Sequence, residues 1–308
     1  MKKILTLVVA ALCCAPMFAT QGALNGRFTI NEDGDQIVFS QGNLQYVGTW
    51  QFAPHQWSII GPSQINNYRD LFGWGTGNNP NKVSIDFTSY STFTDWGANA
   101  ISNGGDEAGV WRTLTTEEWM YLFRSRTSAT TLFGFGSVNG VNGLIILPDN
   151  WETPAGASFN AGTSQGLVWT DDNYYYEENS DHYADNTYTV DEWEILEARG
   201  AVFLPAGGER NGADPHDVGT HGFYWSASSG GTNYAYCVSF LSSKFYPYVK
   251  YYRDYGMSVR LVQTAPSGTT ALDDVTSDTK AVKRIVDGQL LIEKNGKTYN
   301  ATGSQVKQ

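Results

Sequence analysis

The segment 244–256, KFYPYVKYYRDYG, places six aromatic rings within eleven positions of the chain. A tyrosine ring can stack on a sugar or protein surface and form one hydrogen bond, and it has few rotatable bonds to fix on binding. Its chemistry is therefore that of noncovalent recognition. The predicted ligand-binding residues are Ser229, Asn233, Cys237, Phe245, Tyr246, Tyr248, Tyr251, Tyr252, Asp254 and Tyr255.

The spacing of these rings argues against a core strand. A half-buried strand carries apolar side chains on alternate positions, whereas here both parities hold rings. Pro247 also lacks the N–H that a central strand would donate. We expect the rings to form an exposed surface, with the alternative that half of them lie in the core.

Other residues that could do chemistry are isolated. Cys237 has no basic residue beside it in sequence, which argues against a nucleophile. His216 and His221 are five positions apart, but zinc needs a third and a fourth ligand. The acidic run 171–185 has enough oxygens for calcium without the spacing of an EF-hand, and calcium binding there stays open. We expect no catalytic residue, metal ligand or cofactor.

Two segments predict capped amphipathic helices. In LTTEEWMYLFRSR (114–126), Thr115 and Glu118 form a capping box ahead of an apolar stripe. In YTVDEWEILEARG (188–200), Thr189 and Glu192 repeat the box, and Gly200 can end the helix.

Short alternating segments predict antiparallel strands around these helices. Segments 26–57 and 133–146 have hairpin turn signals, and the segments around Val238 and Val259 alternate as core strands do. Two helices among many short strands predict an α+β fold.

The first 19 residues predict a secretory signal peptide. Lys2 and Lys3 precede an apolar run that is too short to span a bilayer, and small residues follow it. An exported chain whose remaining thiol is Cys237 has no internal disulfide, so packing must hold the fold. The net charge of −11 argues against nucleic acid as a partner, and we expect no membrane insertion of the mature chain.

The C-terminal part differs in composition from the rest. Residues 264–280 are polar and predict a linker. Residues 281–308 predict a small β tail with turns at Asp287-Gly288, Asn295-Gly296 and Thr302-Gly303, serving sorting or attachment.

An ordered set of blocks carries a family resemblance: WRTLTTEEWMYLF, GLIILPDNWETPAG, GAVFLPAGGERNG, GFYWSAS and YGMSVRLV. The chain resembles exported Bacteroidales surface proteins of the Fibrobacter succinogenes major paralogous domain type. Those are similar to the formylglycine-generating-enzyme group of the C-type lectin-like fold. The resemblance implies a C-type lectin-like domain over residues 25–263 and a cell-surface or extracellular location. Formylglycine-generating catalysis needs a pair of reactive cysteines near the C-terminus, and this chain has only Cys237 there.

The same fold is used by variable proteins of diversity-generating retroelements, which randomise exposed positions on a fixed scaffold. Residue 237 and residues 245–249, 251, 252, 254 and 255 are all types that such diversified codons reach, whereas Lys244, Lys250 and Arg253 interrupt the pattern. The resemblance thus implies a recognition protein for a glycan or protein ligand outside the cell, with a surface that such a system could diversify. The alternatives are an enzyme of the formylglycine-generating type with an atypical site and a structural, fimbria-like subunit.

Overall fold

The computed structural model describes residues 21–170, 174–177, 180–266, 282–286, 289–294, 297–300 and 305–306. The chain divides into two compact units, with the boundary between Ala265 and Pro266. The predicted signal peptide, 1–19, and most of the predicted linker, 267–280, lie outside the described residues.

The described residues of the first unit form short strands in several sheets and two short α-helices, which makes it an α+β structure. The helices are α1, Thr116–Met120, and α2, Val190–Glu197. The strands are β1 Phe28–Thr29, β2 Gln36–Phe39, β3 Leu44–Tyr46, β4 Trp50–Phe52, β5 Arg112–Thr113, β6 Phe133–Val138, β7 Val141–Ile146, β8 Val168–Trp169, β9 Tyr175–Tyr176, β10 Thr187–Tyr188, β11 Val202–Pro205, β12 Glu209–Asn211, β13 Asp214–His216, β14 His221–Ser229, β15 Tyr234–Leu241, β16 Lys244–Tyr252 and β17 Leu261–Thr264.

Both predicted capping boxes are confirmed. The Thr115 hydroxyl accepts a hydrogen bond from the Glu118 backbone N–H, and the Glu118 carboxylate accepts one from the Thr115 backbone N–H. Thr189 and Glu192 form the same pair of hydrogen bonds at the second helix. The first helix differs from prediction after Met120, where residues Tyr121–Ser125 continue as a π-helix. The wider turn still places Leu122 and Phe123 in the core.

Three sheets frame the candidate site. One has the order β1-β2-β17-β5 and a second the order β10-β6-β7-β11, in which β10 runs parallel to β6. The third has five strands in the order β14-β15-β16-β9-β8, and all of its pairs are antiparallel.

Core clusters lie on both faces of the five-stranded sheet. Phe240 and Phe245 belong to one cluster, which includes Trp119 and Phe123 from the helical segment. Trp225 and Cys237 belong to the other. Because successive side chains of a strand point to opposite faces, this sheet is the central layer of the unit.

The described residues of the second unit form four antiparallel strands in sequential order: β18 Val282–Val286, β19 Gln289–Lys294, β20 Lys297–Asn300 and β21 Gln305–Val306. The glycine turns predicted for this tail lie outside the described residues.

Candidate ligand-binding site

The sequence argues against a core strand in the aromatic segment, and the structure shows a strand that, in the described part of the chain, has neighbours on both sides only at its first two residues. Residues Lys244–Tyr252 are β16, which pairs with β15 along most of its length. On its other side, the described residues pair with β9 only at Lys244 and Phe245. The missing N–H of Pro247 is tolerated because the strand is an edge strand beyond Phe245.

A bulge in β16 decides which rings share a face. Ser239 pairs with Tyr246, and Cys237 pairs with Val249. Between these two pairs the chain advances by two residues in β15 and by three residues in β16. The extra residue falls next to Pro247 and reverses the alternation there. Tyr246 therefore lies on the face opposite to Tyr248 and Tyr252, although the three share one parity in the sequence.

Four tyrosines from two strands form a surface on one face of the sheet. Tyr234 pairs with Tyr252, Tyr236 pairs with Lys250, and paired residues share a face. Their side chains are half-buried or exposed, and Tyr252 is 41% exposed. We call this surface the tyrosine face, defined by Phe87, Tyr234, Tyr236, Tyr248, Lys250 and Tyr252.

The rings of the tyrosine face contact one another. The ring centroids of Tyr234 and Tyr252 are 4.5 Å apart, and Phe87 stacks on Tyr252 at 5.9 Å. Tyr236 lies 6.1 Å from Tyr248, and the Lys250 ammonium lies 5.4 Å from the Tyr236 ring centroid. A side-chain hydrogen bond with Tyr252 raises the pKa of Tyr234 above its usual range, so that hydroxyl keeps its proton at neutral pH. The surface thus offers phenol rings with their hydroxyl groups and one lysine side chain.

Three of the predicted ligand-binding residues are buried. Cys237 is 1% exposed, Phe245 0% and Asp254 7%. A ligand at the surface cannot reach these side chains, and this corrects the prediction for all three. Burial also raises the pKa of the Cys237 thiol, which keeps it protonated and weakly nucleophilic.

The remaining predicted tyrosines lie away from the tyrosine face. Tyr246 packs on Tyr174, with centroids 4.8 Å apart, on the opposite face of the sheet. Tyr251 packs edge-on against Phe223 and Tyr255 at 5.3 Å and 5.5 Å. Burial raises the pKa of Tyr251 to about 12, which is typical of a packing residue rather than a ligand contact. The structure thus brings together Tyr248 and Tyr252 and separates them from Tyr246, Tyr251 and Tyr255.

Arg253 connects the end of β16 to the neighbouring loops. Its side chain is 5% exposed and lies over the Trp74 ring at 4.3 Å. Its guanidinium donates to the carbonyl oxygens of Tyr234 at 3.0 Å and Gly231 at 2.7 Å, and to Ser229 Oγ at 2.6 Å. It also donates to the Tyr90 carbonyl at 3.3 Å. Of the predicted ligand residues, Ser229 ends β14 and Asn233 lies in the following loop, and this arginine contacts both.

A polar groove lies beside the tyrosine face. It encloses about 470 Å³, within the range of small-ligand sites. The 3₁₀-helix Phe87–Tyr90 separates the two features: Phe87 stacks on Tyr252, whereas Ser89 and Tyr90 line the groove. The polar lining includes Asn78, Asn79, Ser89, Ser91, Thr92 and Thr94.

The candidate metal ligands do not converge within the described residues, where no group of three or more His, Cys, Asp or Glu could hold an ion. His182 contacts Glu177 through Nε2 and Asp185 through Nδ1, the latter at 2.7 Å. His221 lies 3.9 Å from Asp217. Residues 171–173, 178 and 179 of the acidic run lie outside the described residues.

Sequence reasoning missed Tyr234, Tyr236 and Phe87. The two tyrosines alternate with buried residues in β15, and pairing that segment with 244–252 would have placed them beside Tyr252. Phe87 is distant in sequence, and no local pattern connects it to the sheet.

The comparisons with known proteins concern the second half of the first unit. Residues 168–262 match the model of a family described as "Domain of unknown function (DUF8237)". The match covers about a third of the chain and includes the whole five-stranded sheet but neither Phe87 nor the polar groove. No curated protein and no solved structure matches the chain.

Among the described residues, no helix has the length and apolar character that a membrane span requires.

Proposed function

We propose that this chain is an exported, cell-surface recognition protein with a C-type lectin-like domain, and that the tyrosine face binds a glycan or protein ligand. The observation that carries the proposal is the surface formed by Tyr234, Tyr236, Tyr248 and Tyr252, whose rings are partly open to solvent on a central sheet. Such rings provide contact area at low entropic cost, since few torsions must be fixed on binding.

The surroundings of these rings favour binding by a rigid surface. The opposite end of the same sheet face is covered by Phe123, whose ring lies 4.5 Å from that of Phe245. Arg253, the residue after Tyr252, fixes the loop before Tyr234 by donating to the carbonyls of Gly231 and Tyr234. A preorganised surface loses less conformational freedom when it binds, which favours affinity.

Two features favour this proposal over its alternatives. The thiol that a formylglycine-type enzyme would use is buried and protonated. A fimbria-like subunit would present a long, regular strand edge, whereas β16 carries Pro247, a bulge and the exposed Lys250. These three devices discourage strand addition at an edge.

The proposal is tested with a triple variant, Tyr236→Ser, Tyr248→Ser and Tyr252→Ser. Immobilised protein is exposed to a library of oligosaccharides and to purified cell-surface proteins, and bound material is quantified for wild type and variant. We expect the wild type to retain a specific ligand and the variant to lose at least about 90% of binding, because each stacked ring contributes about 1 kcal/mol.

The matched control replaces tyrosines of the opposite face, Tyr174→Ser and Tyr246→Ser, which lie outside the tyrosine face. Equal thermal unfolding of all variants shows that the fold is kept. Binding that survives the triple variant, or that disappears only in the control, contradicts the proposal.

A further inference from the structure

We infer that the polar groove is a binding subsite for uncharged sugar units and that it works together with the tyrosine face. This inference rests on the proposed function and narrows its ligand class to neutral glycans. The groove is lined by residues between Trp74 and Thr94, outside the segment that matches the family model.

Several polar side chains of the groove lining are available to hydrogen-bond a ligand. In the described part of the chain, the side chains of Asn78, Asn79, Ser91, Thr92 and Thr94 form no hydrogen bond with the protein. Amides and hydroxyls both donate and accept, as sugar hydroxyls do. The lining therefore matches a ligand that presents many neutral hydroxyl groups.

The charges in the groove disfavour other ligand classes. Among the described residues its lining contains no carboxylate and one cation, Lys82, which already donates to the Ser89 carbonyl and lies 4.3 Å from the Tyr90 ring centroid. An anionic ligand would have to compete with both contacts. An apolar peptide side chain would need an apolar pocket, but Trp74 is 3% exposed and its ring is covered by Arg253 and Phe93.

The walls of the groove are preformed. Thr94 N–H donates to the Gly75 carbonyl at 3.1 Å, and Gly77 N–H donates to the Thr94 carbonyl at 3.1 Å. Arg253 holds the opposite wall through the carbonyls of Tyr90 and Ser91. The same arginine follows Tyr252 in sequence, so the groove and the tyrosine face share one support.

In this arrangement the tyrosine face and the polar groove would make different kinds of contact with a short glycan. Phe87 and Tyr252 are stacked at 5.9 Å, and the parts of both rings that remain open to solvent can contact the apolar side of a sugar. Across the 3₁₀-helix, Asn79 and Thr92 provide hydrogen bonds for the hydroxyl groups of the next units. A glycan of several units would contact both parts.

The experiment measures binding of neutral hexasaccharides of glucose, xylose, mannose and galactose to the full chain by array and then by calorimetry. The groove variant combines Asn79→Ala with Thr92→Val, and Asn150→Ala is the matched exposed control. We expect the groove variant to weaken binding of the best hexasaccharide about tenfold or more, since two neutral hydrogen bonds are lost. The control should bind like the wild type.

The outcomes separate this inference from the proposed function. Binding that Tyr252→Ala weakens but the groove variant leaves unchanged overturns the groove subsite and leaves the tyrosine face intact. The inference is also overturned if no hexasaccharide binds the wild type at millimolar concentration, or if charged oligosaccharides or a protein bind in their place. Should the groove variant unfold, Ser91→Ala replaces it, because that exposed hydroxyl makes no contact the fold needs.

Discussion

At the scale of single residues, Glu209 has an unusual environment beside the five-stranded sheet. Its side chain is 9% exposed, and Oε2 has no hydrogen-bond partner among the described residues. Burial, with a smaller contribution from the charge of Asp217, raises the pKa of Glu209 to about 7. The protein therefore disfavours the ionised form of this carboxyl.

This pKa predicts how stability depends on pH. In the unfolded chain Glu209 ionises near pH 4.5, whereas in the folded protein it holds its proton to about pH 7. The folded state binds more protons between these values, so the free energy of unfolding falls as pH rises through that window. Glu209→Gln should remove up to about 3 kcal/mol of this fall, at 1.36 kcal/mol per pKa unit. Urea unfolding at pH 4.5, 6 and 7.5 measures the difference.

The control for this prediction is the exposed Glu152, for which Glu152→Gln should keep the wild-type slope. Burial also raises the pKa of Asp70 to about 6, which lowers the free energy of unfolding with rising pH in the wild type and in every variant. Only the difference in slope between a variant and the wild type is therefore informative. Identical slopes for wild type and Glu209→Gln would show that this carboxyl ionises normally in the fold.

At the scale of elements, Arg253 joins the end of β16 to two loops. Its guanidinium donates to carbonyls of residues 90, 91, 231 and 234, and its backbone N–H donates to the Asn233 carbonyl. Lysine cannot reproduce this set, because its ammonium is a single point charge with three donors.

We predict that Arg253→Lys destabilises the first unit by about 2–3 kcal/mol, since buried carbonyl groups lose a charged donor. Amide hydrogen exchange should increase in residues 229–234 and 89–92 before it increases elsewhere. Lys250→Arg, at an exposed position three residues away, is the matched control and should change neither stability nor exchange. Uniform exchange changes across the sheet would mean that Arg253 supports the core rather than these loops.

The elements also show which parts of the structure could be predicted from sequence. The capping boxes at Thr115 and Thr189 are local patterns, and both helices begin where these patterns place them. The π-helix after Met120 was not predicted, because a wider turn keeps the same apolar residues facing the core.

The candidate site was harder to predict because its geometry depends on long-range pairing. The bulge next to Pro247 separates Tyr246 from Tyr248, and side-chain parity alone cannot reveal an inserted residue. Phe245 and Cys237 are of residue types that also occur at binding surfaces, and only the packing of Phe123 and Trp225 around them shows that they are core residues. The sequence thus located the segment but not which of its side chains face solvent.

At the scale of the whole molecule, the core clusters formed by the described residues lie in the first unit. Their described members all lie between Ala23 and Val262, and the unit ends at Ala265. The second unit contains four strands that pair with one another. Each unit thus has its own sheet structure.

We predict that a chain comprising residues 21–265 folds by itself. The buried aromatic core of this unit includes Trp96, Trp111, Trp119, Trp193 and Trp225, all of which precede its end at Ala265. The truncated chain should unfold in one cooperative thermal transition with the near-ultraviolet circular dichroism of packed tryptophans, and it should bind the same ligand as the full chain. A chain comprising residues 266–308 should show weak or noncooperative unfolding, because a unit of so few residues rarely folds stably by itself. A truncated first unit that lacks near-ultraviolet signal and binds an exposed-hydrophobe dye would show that its fold depends on the second unit.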